Sequence, residues 1–179
     1  SKERPITSLP MHYSYGISVI NSHVISGATI LLTDYSVIQK EFWNFAKQNE
    51  ATSMAGVPYI YEMLRRLRVF QMDLPALKTF TQAGGKLNPK LVKEYLELAH
   101  QYGKQFIVMY GQTEATARMS YLPFDNALEK YESIGKSIPG GRFILIDSDG
   151  NEISNINEDG ELVYFGKNVS MGYAEFIDD

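Results

Sequence analysis

The chain has 179 residues, of which 44% are hydrophobic, 12% aromatic and 21% charged, with 21 acidic against 17 basic side chains and a formal charge of −4. That is about one domain's length, and the ordinary composition excludes a disordered tail or a fibrous repeat. The acidic balance argues against a broad nucleic-acid or anionic-membrane footprint, while a compact local anion site stays possible.

The absence of cysteine removes disulfides, thiolate metal sites and thiol nucleophiles together. Imidazole chemistry is limited to His12, His23 and His100, which lie far apart in sequence. No uninterrupted apolar stretch reaches the ~18 residues that a membrane span needs, because Ile17 to Leu32 is broken by Asn21, His23 and Gly27. A soluble, cytoplasmic protein without a membrane span is the expectation. The opening Ser1-Lys2-Glu3-Arg4 has neither a signal-type apolar region nor an initiator Met, and reads as a start partway through a longer protein.

Helix and strand signals alternate through the first 120 residues. Ala28 to Leu32 is an apolar run of strand length. Ser36 with Gln39 three residues on forms a capping-box pattern, and Ile38, Phe42, Phe45 and Ala46 follow at helical spacing before Asn49. A strand is expected over Thr52 to Gly56. Pro58 then suits the first turn of a helix whose buried face carries Ile60, Met63, Leu64 and Leu67.

A third strand is expected from Leu77 to Ala83. Asn88-Pro89 opens a further helix that buries Leu91, Tyr95, Leu98, Ala99 and Tyr102, and Gly103 is placed to end it. Gln105 to Tyr110 completes the strand set. Beyond residue 120 the texture changes to short strands and turns: Arg142 to Asp147, a turn at Ser148-Asp149-Gly150-Asn151, and Glu161 to Phe165.

Strands separated by helices imply right-handed crossovers, and hence an α/β fold with a mainly parallel sheet over residues 1–120. Residues 121–179 form a smaller antiparallel β-rich part. Parallel sheets bind ligands in loops at the carboxyl ends of their strands, which singles out the loops after Ala83 and after Tyr110.

After Tyr110 the sequence runs Gly111-Gln112-Thr113-Glu114. Glycine lets the backbone pass close to a ligand, a threonine hydroxyl suits a phosphate oxygen, glutamate is a hard donor for magnesium, and the tyrosine face suits a planar base. The same residues also make an ordinary turn with Thr113 and Glu114 starting a helix, and spacing alone favours that reading. Gly84-Gly85-Lys86 is open in the same way, either to a ligand at bare backbone or to a tight turn.

Five segments together carry a resemblance. They are Leu9 to Gly16 with its Pro-Met-His-Tyr-Ser-Tyr-Gly run, Gly84-Gly85, Tyr110 to Glu114, Ser133 to Gly140, and Gly160-Glu161-Leu162 followed by Gly166, Val169, Gly172 and Tyr173. In this order they resemble the AMP-forming acyl- and aminoacyl-adenylating superfamily of acyl-CoA synthetases, luciferase and peptide-synthetase adenylation domains. The sequence departs from that pattern at Tyr13, where the family usually has histidine and this chain has its histidine one residue earlier, and at Lys86, where proline is more usual.

The resemblance implies roles for individual residues. Gly84, Gly85 and Lys86 would lie along adenine, Tyr110 would stack on it, and Gly111 and Gln112 would complete that wall. Thr113 would meet the α-phosphate and Glu114 would ligate magnesium. His12, Tyr13, Tyr15 and Gly16 would wall the acyl pocket. The implied reaction joins a small-molecule carboxylate to ATP as an acyl-adenylate, with Mg2+, and passes the acyl group to a coenzyme A or carrier-protein thiol.

The family's phosphate loop ending in lysine, its ribose-binding Tyr-x-Thr-Gly-Asp segment and its lysine-bearing lid are not found in this sequence. The chain therefore reads as an internal piece of a ligase, inactive by itself and completed by the rest of its parent chain, with self-association through cut surfaces as a further expectation. A noncatalytic nucleotide- or acyl-binding module is the alternative. Arg65, Arg66 and Arg68 read as the solvated side of a helix, and Phe42, Trp43 and Phe45 as core.

Overall fold

The structure, a computed structural model, describes residues 2–174. The described residues form eight strands and four α-helices: β1 (Pro5–Ile6), α1 (Ser14–Ile25), α2 (Lys40–Gln48), β2 (Ser53–Gly56), α3 (Pro58–Arg66), β3 (Thr79–Gln82), α4 (Pro89–Gln101), β4 (Gln105–Tyr110), β5 (Ser120–Tyr121), β6 (Lys136–Ser137), β7 (Arg142–Ile146) and β8 (Glu161–Phe165). Six strands make one sheet in the order β1-β2-β3-β4-β5-β6, and β7 and β8 make a second. Strands β1 to β4 pair parallel, while β5, β6 and the β7–β8 pair are antiparallel. The expected α/β class and the change of pairing near residue 120 are both observed.

Register and side-chain alternation build two layers on the main sheet. Met54, Phe80 and Phe106 are aligned across β2, β3 and β4. They join the buried residues of α2, α3 and α4 in one large core cluster, in which Phe80 and Phe106 are completely buried. Burial of each such aromatic side chain stabilises by about 1.5–3 kcal/mol relative to exposure. The rings of Tyr61, Tyr95 and Phe106 meet edge-on or tilted at 5.1 Å between centroids. The neighbouring positions on the strands point the other way, and there Ala55 packs with Tyr15 of α1, Ala83 and Ala117.

Local chemistry explains the helix ends. Asn88 caps α4 by accepting from Lys90 N–H, and Pro89 follows it. Gly103, at φ +61, lets Lys104 N–H reach back to Ala99 O at 2.8 Å and close the far end. At α2, Gln39 Oε1 accepts from Ser36 N–H at 2.6 Å, so half of the expected capping box forms one turn ahead of the helix.

Several expected details need correction. Ala28 to Leu32 is not a strand: only Leu31 bridges Ile6, because β1 offers a two-residue ladder. In α3 the fully buried residues are Tyr61 and Leu64, with Ile60, Met63 and Leu67 at the flanks. Tyr61 enters the core because its hydroxyl donates to Thr81 O at 2.8 Å. Ile38 and Tyr102 are exposed, since each lies just outside its helix. Leu98 is half-buried at the edge of the same core.

Candidate active site

The loop after β3 is built by its glycines. Gln82, almost completely buried, donates from Nε2 to Gly85 O at 2.9 Å and pins the loop from below. Gly84 has φ +75 and Gly85 φ +154, backbone that other residues adopt only with strain. A Cβ on Gly84 would also lie 2.5 Å from Tyr13 Oη, and one on Gly85 would lie 3.1 Å from Pro58 Cγ. The paired glycines thus satisfy a steric demand from α3 and from the segment before α1.

The loop after β4 folds back on itself. Gly111 passes so close to Ala117 O that a Cβ there would collide with that carbonyl. Thr113 to Ala115 form a single 3₁₀ turn, and Thr116 (φ 50) and Ala117 (φ 71) then occupy left-handed backbone in succession. Ala117 N–H donates to Gln112 O at 3.0 Å, and Met119 N–H to Tyr110 O at 2.9 Å. Gln112 Nε2 lies 3.3 Å from Tyr110 Oη.

Asn168, beyond β8, clamps this loop. Its Nδ2 donates to Ala115 O at 2.6 Å and to Arg118 O at 2.9 Å, while its Oδ1 accepts from Tyr164 Oη at 2.9 Å. Its own carbonyl accepts from Thr116 Oγ1 at 2.7 Å. Sequence reasoning missed Asn168, because an isolated asparagine after a strand carries no periodic or spacing signal.

Thr113 and Glu114 are exposed at the surface of the loop. Thr113 Oγ1 lies 3.0 Å from Ser14 Oγ at the start of α1. Glu114 Oε1 accepts from Tyr173 Oη at 2.8 Å, and its main-chain carbonyl accepts from Ser170 N–H at 2.7 Å. Its own backbone N–H, then the Tyr173 hydroxyl, holds the Glu114 carboxyl below the usual carboxylate range.

The two loops share a cavity of about 340 Å³ at the carboxyl ends of β3 and β4. Gly84, Gly85, Lys86, Tyr110 and Gly111 line it from those loops, and Ser133 and Ile134 face them. Five of the residues expected to surround adenine are therefore brought together, with Gln112 alongside on the exposed loop. The acyl-side residues are spread out: His12 is exposed, Tyr13 reaches Gly84, and Tyr15 is buried with its hydroxyl 2.8 Å from Thr81 Oγ1. Burial pushes the Tyr15 phenol well above its ordinary pKa, so it stays neutral. Gly16 is required where a Cβ would strike Pro10 O.

No group of three or more His, Asp or Glu side chains able to hold a metal is found among the described residues. Glu114 is a single exposed carboxylate, a donor set that fits magnesium carried largely by substrate phosphates and water.

A family model described as AMP-binding enzyme matches residues 1–174. The chain belongs to this family. Two of the relatives that the chain matches are ligases. The D-alanine–D-alanyl carrier protein ligase of Bacillus cytotoxicus is 28% identical over 170 residues, covering 90% of this chain and 33% of that protein. The long-chain-fatty-acid–CoA ligase of Escherichia coli O157:H7 is 27% identical over 175 residues, covering 96% and 30%.

Among solved structures, o-succinylbenzoate CoA synthetase from Bacillus subtilis superposes in complex with its acyl-adenylate intermediate with a TM-score of 0.82 at 23% identity, over 98% of this chain and 34% of that one. Its complex with ATP and magnesium gives 0.79 at 24% identity, over 96% and 34%. The chain thus spans about a third of the length of these proteins. No helix among its described residues is long and apolar enough to cross a membrane.

Proposed function

We propose that this chain is the adenylate-cradling part of an ATP-dependent, AMP-forming carboxylate ligase of the acyl-CoA synthetase type. The observation that carries the reading is the single cavity that joins Gly84-Gly85-Lys86 to Tyr110-Gly111, with Thr113 and Glu114 on the next turn of the same loop. A base slides between backbone of the first loop and the ring of Tyr110, and Gln112 extends that wall. Thr113 then donates its hydroxyl toward the α-phosphate.

In the proposed reaction a carboxylate oxygen attacks the α-phosphorus, pyrophosphate leaves, and the acyl-adenylate then passes its acyl group to a thiol of coenzyme A or of a carrier protein with loss of AMP. Glu114 would hold magnesium, which supplies neutralisation of phosphate charge. In-line displacement depends on positioning and on charge neutralisation. The segment from His12 to Gly16 orients the acid beside this loop, with Tyr13 linking it to Gly84. The family's phosphate-loop and lid lysines are not among these 179 residues, so this chain alone is expected to show little or no adenylation.

Backbone-amide NMR titration with an acyl-adenylate analogue and magnesium tests the reading. Shifts confined to Gly84, Gly85, Tyr110, Thr113 and Glu114 are expected, and a flat response at all five would sink it. ATP–pyrophosphate exchange by the parent protein separates a ligase from a noncatalytic binding module, which would bind the analogue without exchange.

A further inference from the structure

On the face of the sheet opposite α2, α3 and α4, a crevice of about 230 Å³ runs between α1 and strands β2 to β4. Val19, His23, Ser53, Thr81, Met109 and Arg118 are among its lining residues. Met109 also lines the adenylate cavity, so the two spaces share a wall. The crevice begins beneath the helix that the Leu9 to Gly16 segment opens, and Arg118 lies four residues beyond Glu114 on the clamped loop.

The polar chemistry of this crevice is incomplete. Among the described residues, two buried side-chain polar atoms have no hydrogen-bond partner: Ser53 Oγ and Arg118 Nε, both on residues of this one crevice. Ser53 is only 7% exposed. Arg118 makes one long contact from Nη2 to Ser22 Oγ, at 3.3 Å. The ion pairs of the described residues are Lys47 with Asp73 and Arg65 with Glu94, so no carboxylate among these residues pairs with Arg118. Glu3 reaches the crevice too, but its carboxylate accepts from Thr52 Oγ1 at 2.6 Å.

Burial draws the Arg118 pKa below the ordinary arginine value, the direction expected of a desolvated cation. A half-buried guanidinium without an anion is costly to keep, and its planar fork matches a carboxylate. The crevice is also small beside the pockets of drug-sized ligands, which suits a short acid.

We propose that Arg118, with Ser53, selects a short substrate acid that carries a second carboxylate at its far end. The inference rests on the ligase reading above, which supplies the first carboxylate at the α-phosphate. Arg118 is then a specificity residue for the distal group, and Ser53 donates its hydroxyl to the same carboxylate.

The test compares succinate, glutarate and adipate with their monomethyl esters, which keep the shape and remove one charge, using ATP–pyrophosphate exchange by the full-length protein. At least one diacid is expected to show a KM about 100-fold below its half-ester, and Arg118→Leu to abolish that advantage, with Arg118→Lys restoring part of it. Thermal midpoints are measured alongside, and Arg118→Leu is expected to hold or raise the midpoint, because it removes an unpaired buried cation. Equal handling of diacid and half-ester by the native protein, or an advantage that survives Arg118→Leu, overturns the inference.

Failure of exchange with every acid of this panel, and with D-alanine and a long-chain fatty acid besides, would refute the ligase reading instead. Calorimetric titration with the same diacids then decides the crevice by itself: binding that depends on Arg118 upholds a distal carboxylate subsite, and absent or Arg118-independent binding overturns it.

Discussion

The side-chain amide of Asn168 bonds the carbonyl of Arg118 at 2.9 Å, tying the loop beyond β8 to the loop that follows β4. With its second bond to Ala115 O, one amide group holds both ends of the left-handed stretch at Thr116 and Ala117. Residues in such backbone persist only where their surroundings over-determine them.

Asn168→Ala should therefore cost about 1–3 kcal/mol, since it strips partners from two carbonyls and from the Tyr164 hydroxyl. Asn168→Asp should cost more than the alanine variant, because it sets a carboxylate against two carbonyl oxygens. Urea denaturation of the three proteins gives the order directly, and an alanine variant as stable as the native chain would remove the clamp from the account.

Two glycines should respond differently to alanine. At Gly103, φ +61 carries strain but nothing lies within 4 Å of an added Cβ, so Gly103→Ala should cost only about 1 kcal/mol. At Gly111 the added carbon meets backbone of Ala117 and Arg118, which cannot move as a side-chain tip would. Gly111→Ala should cost several-fold more and abolish adenylate-analogue binding, as measured by denaturation and by calorimetry.

Phe80→Ala and Phe106→Ala remove completely buried rings from the aligned layer between the sheet and its helices. Each should destabilise by about 3–5 kcal/mol. Tyr61→Phe keeps the ring and loses only the bond to Thr81 O, so about 1 kcal/mol is expected. Equal losses for the ring deletions and for Tyr61→Phe would contradict this division between packing and hydrogen bonding.

Glu114 gives a pH dependence of defined sign. Its carboxyl is held below the usual range in the folded chain, so the associated stabilisation is complete above the unfolded carboxyl pKa and disappears as pH falls through the lower folded value. Acidification should release Tyr173 from Glu114, seen as a shift of the Tyr173 ring signals by NMR. Glu114→Gln should remove that transition, and a transition of unchanged midpoint in the variant would assign it to another group.

How much of this was legible in the sequence depended on whether the signal was local. Asn88, Pro89 and Gly103 delimit α4 by chemistry that acts within a few residues, and the helix lies where they put it. Gln105 to Tyr110 is long enough to show as a strand, and it is one. Strand β1 has two residues and no period to read, so its partner around Leu31 was overextended in expectation.

The two loops of the candidate site are legible as turn types, through Gly84-Gly85 and Gly111, because backbone demands glycine wherever a neighbour crowds it. What crowds it was not legible: Tyr13 against Gly84 and Ala117 against Gly111 are contacts made by the fold. Arg118 and Ser53 carry no sequence signal for a related reason. An arginine or a serine is unremarked in a sequence until burial deprives its polar atoms of water.

Strand order in the main sheet, β1 to β6, is also the order along the chain. During synthesis each crossover can lay its strand beside the one just placed, with no gap to be filled later by a distant segment. Pairing of that kind keeps loop closure short and edges briefly exposed. The loop of Thr113 to Arg118 is the exception, since its fastenings at Asn168 and Tyr173 emerge from the ribosome 50 and 59 residues after the groups they hold. The scaffold can thus assemble strand by strand, while this loop is clamped only after some 50 further residues have followed it out.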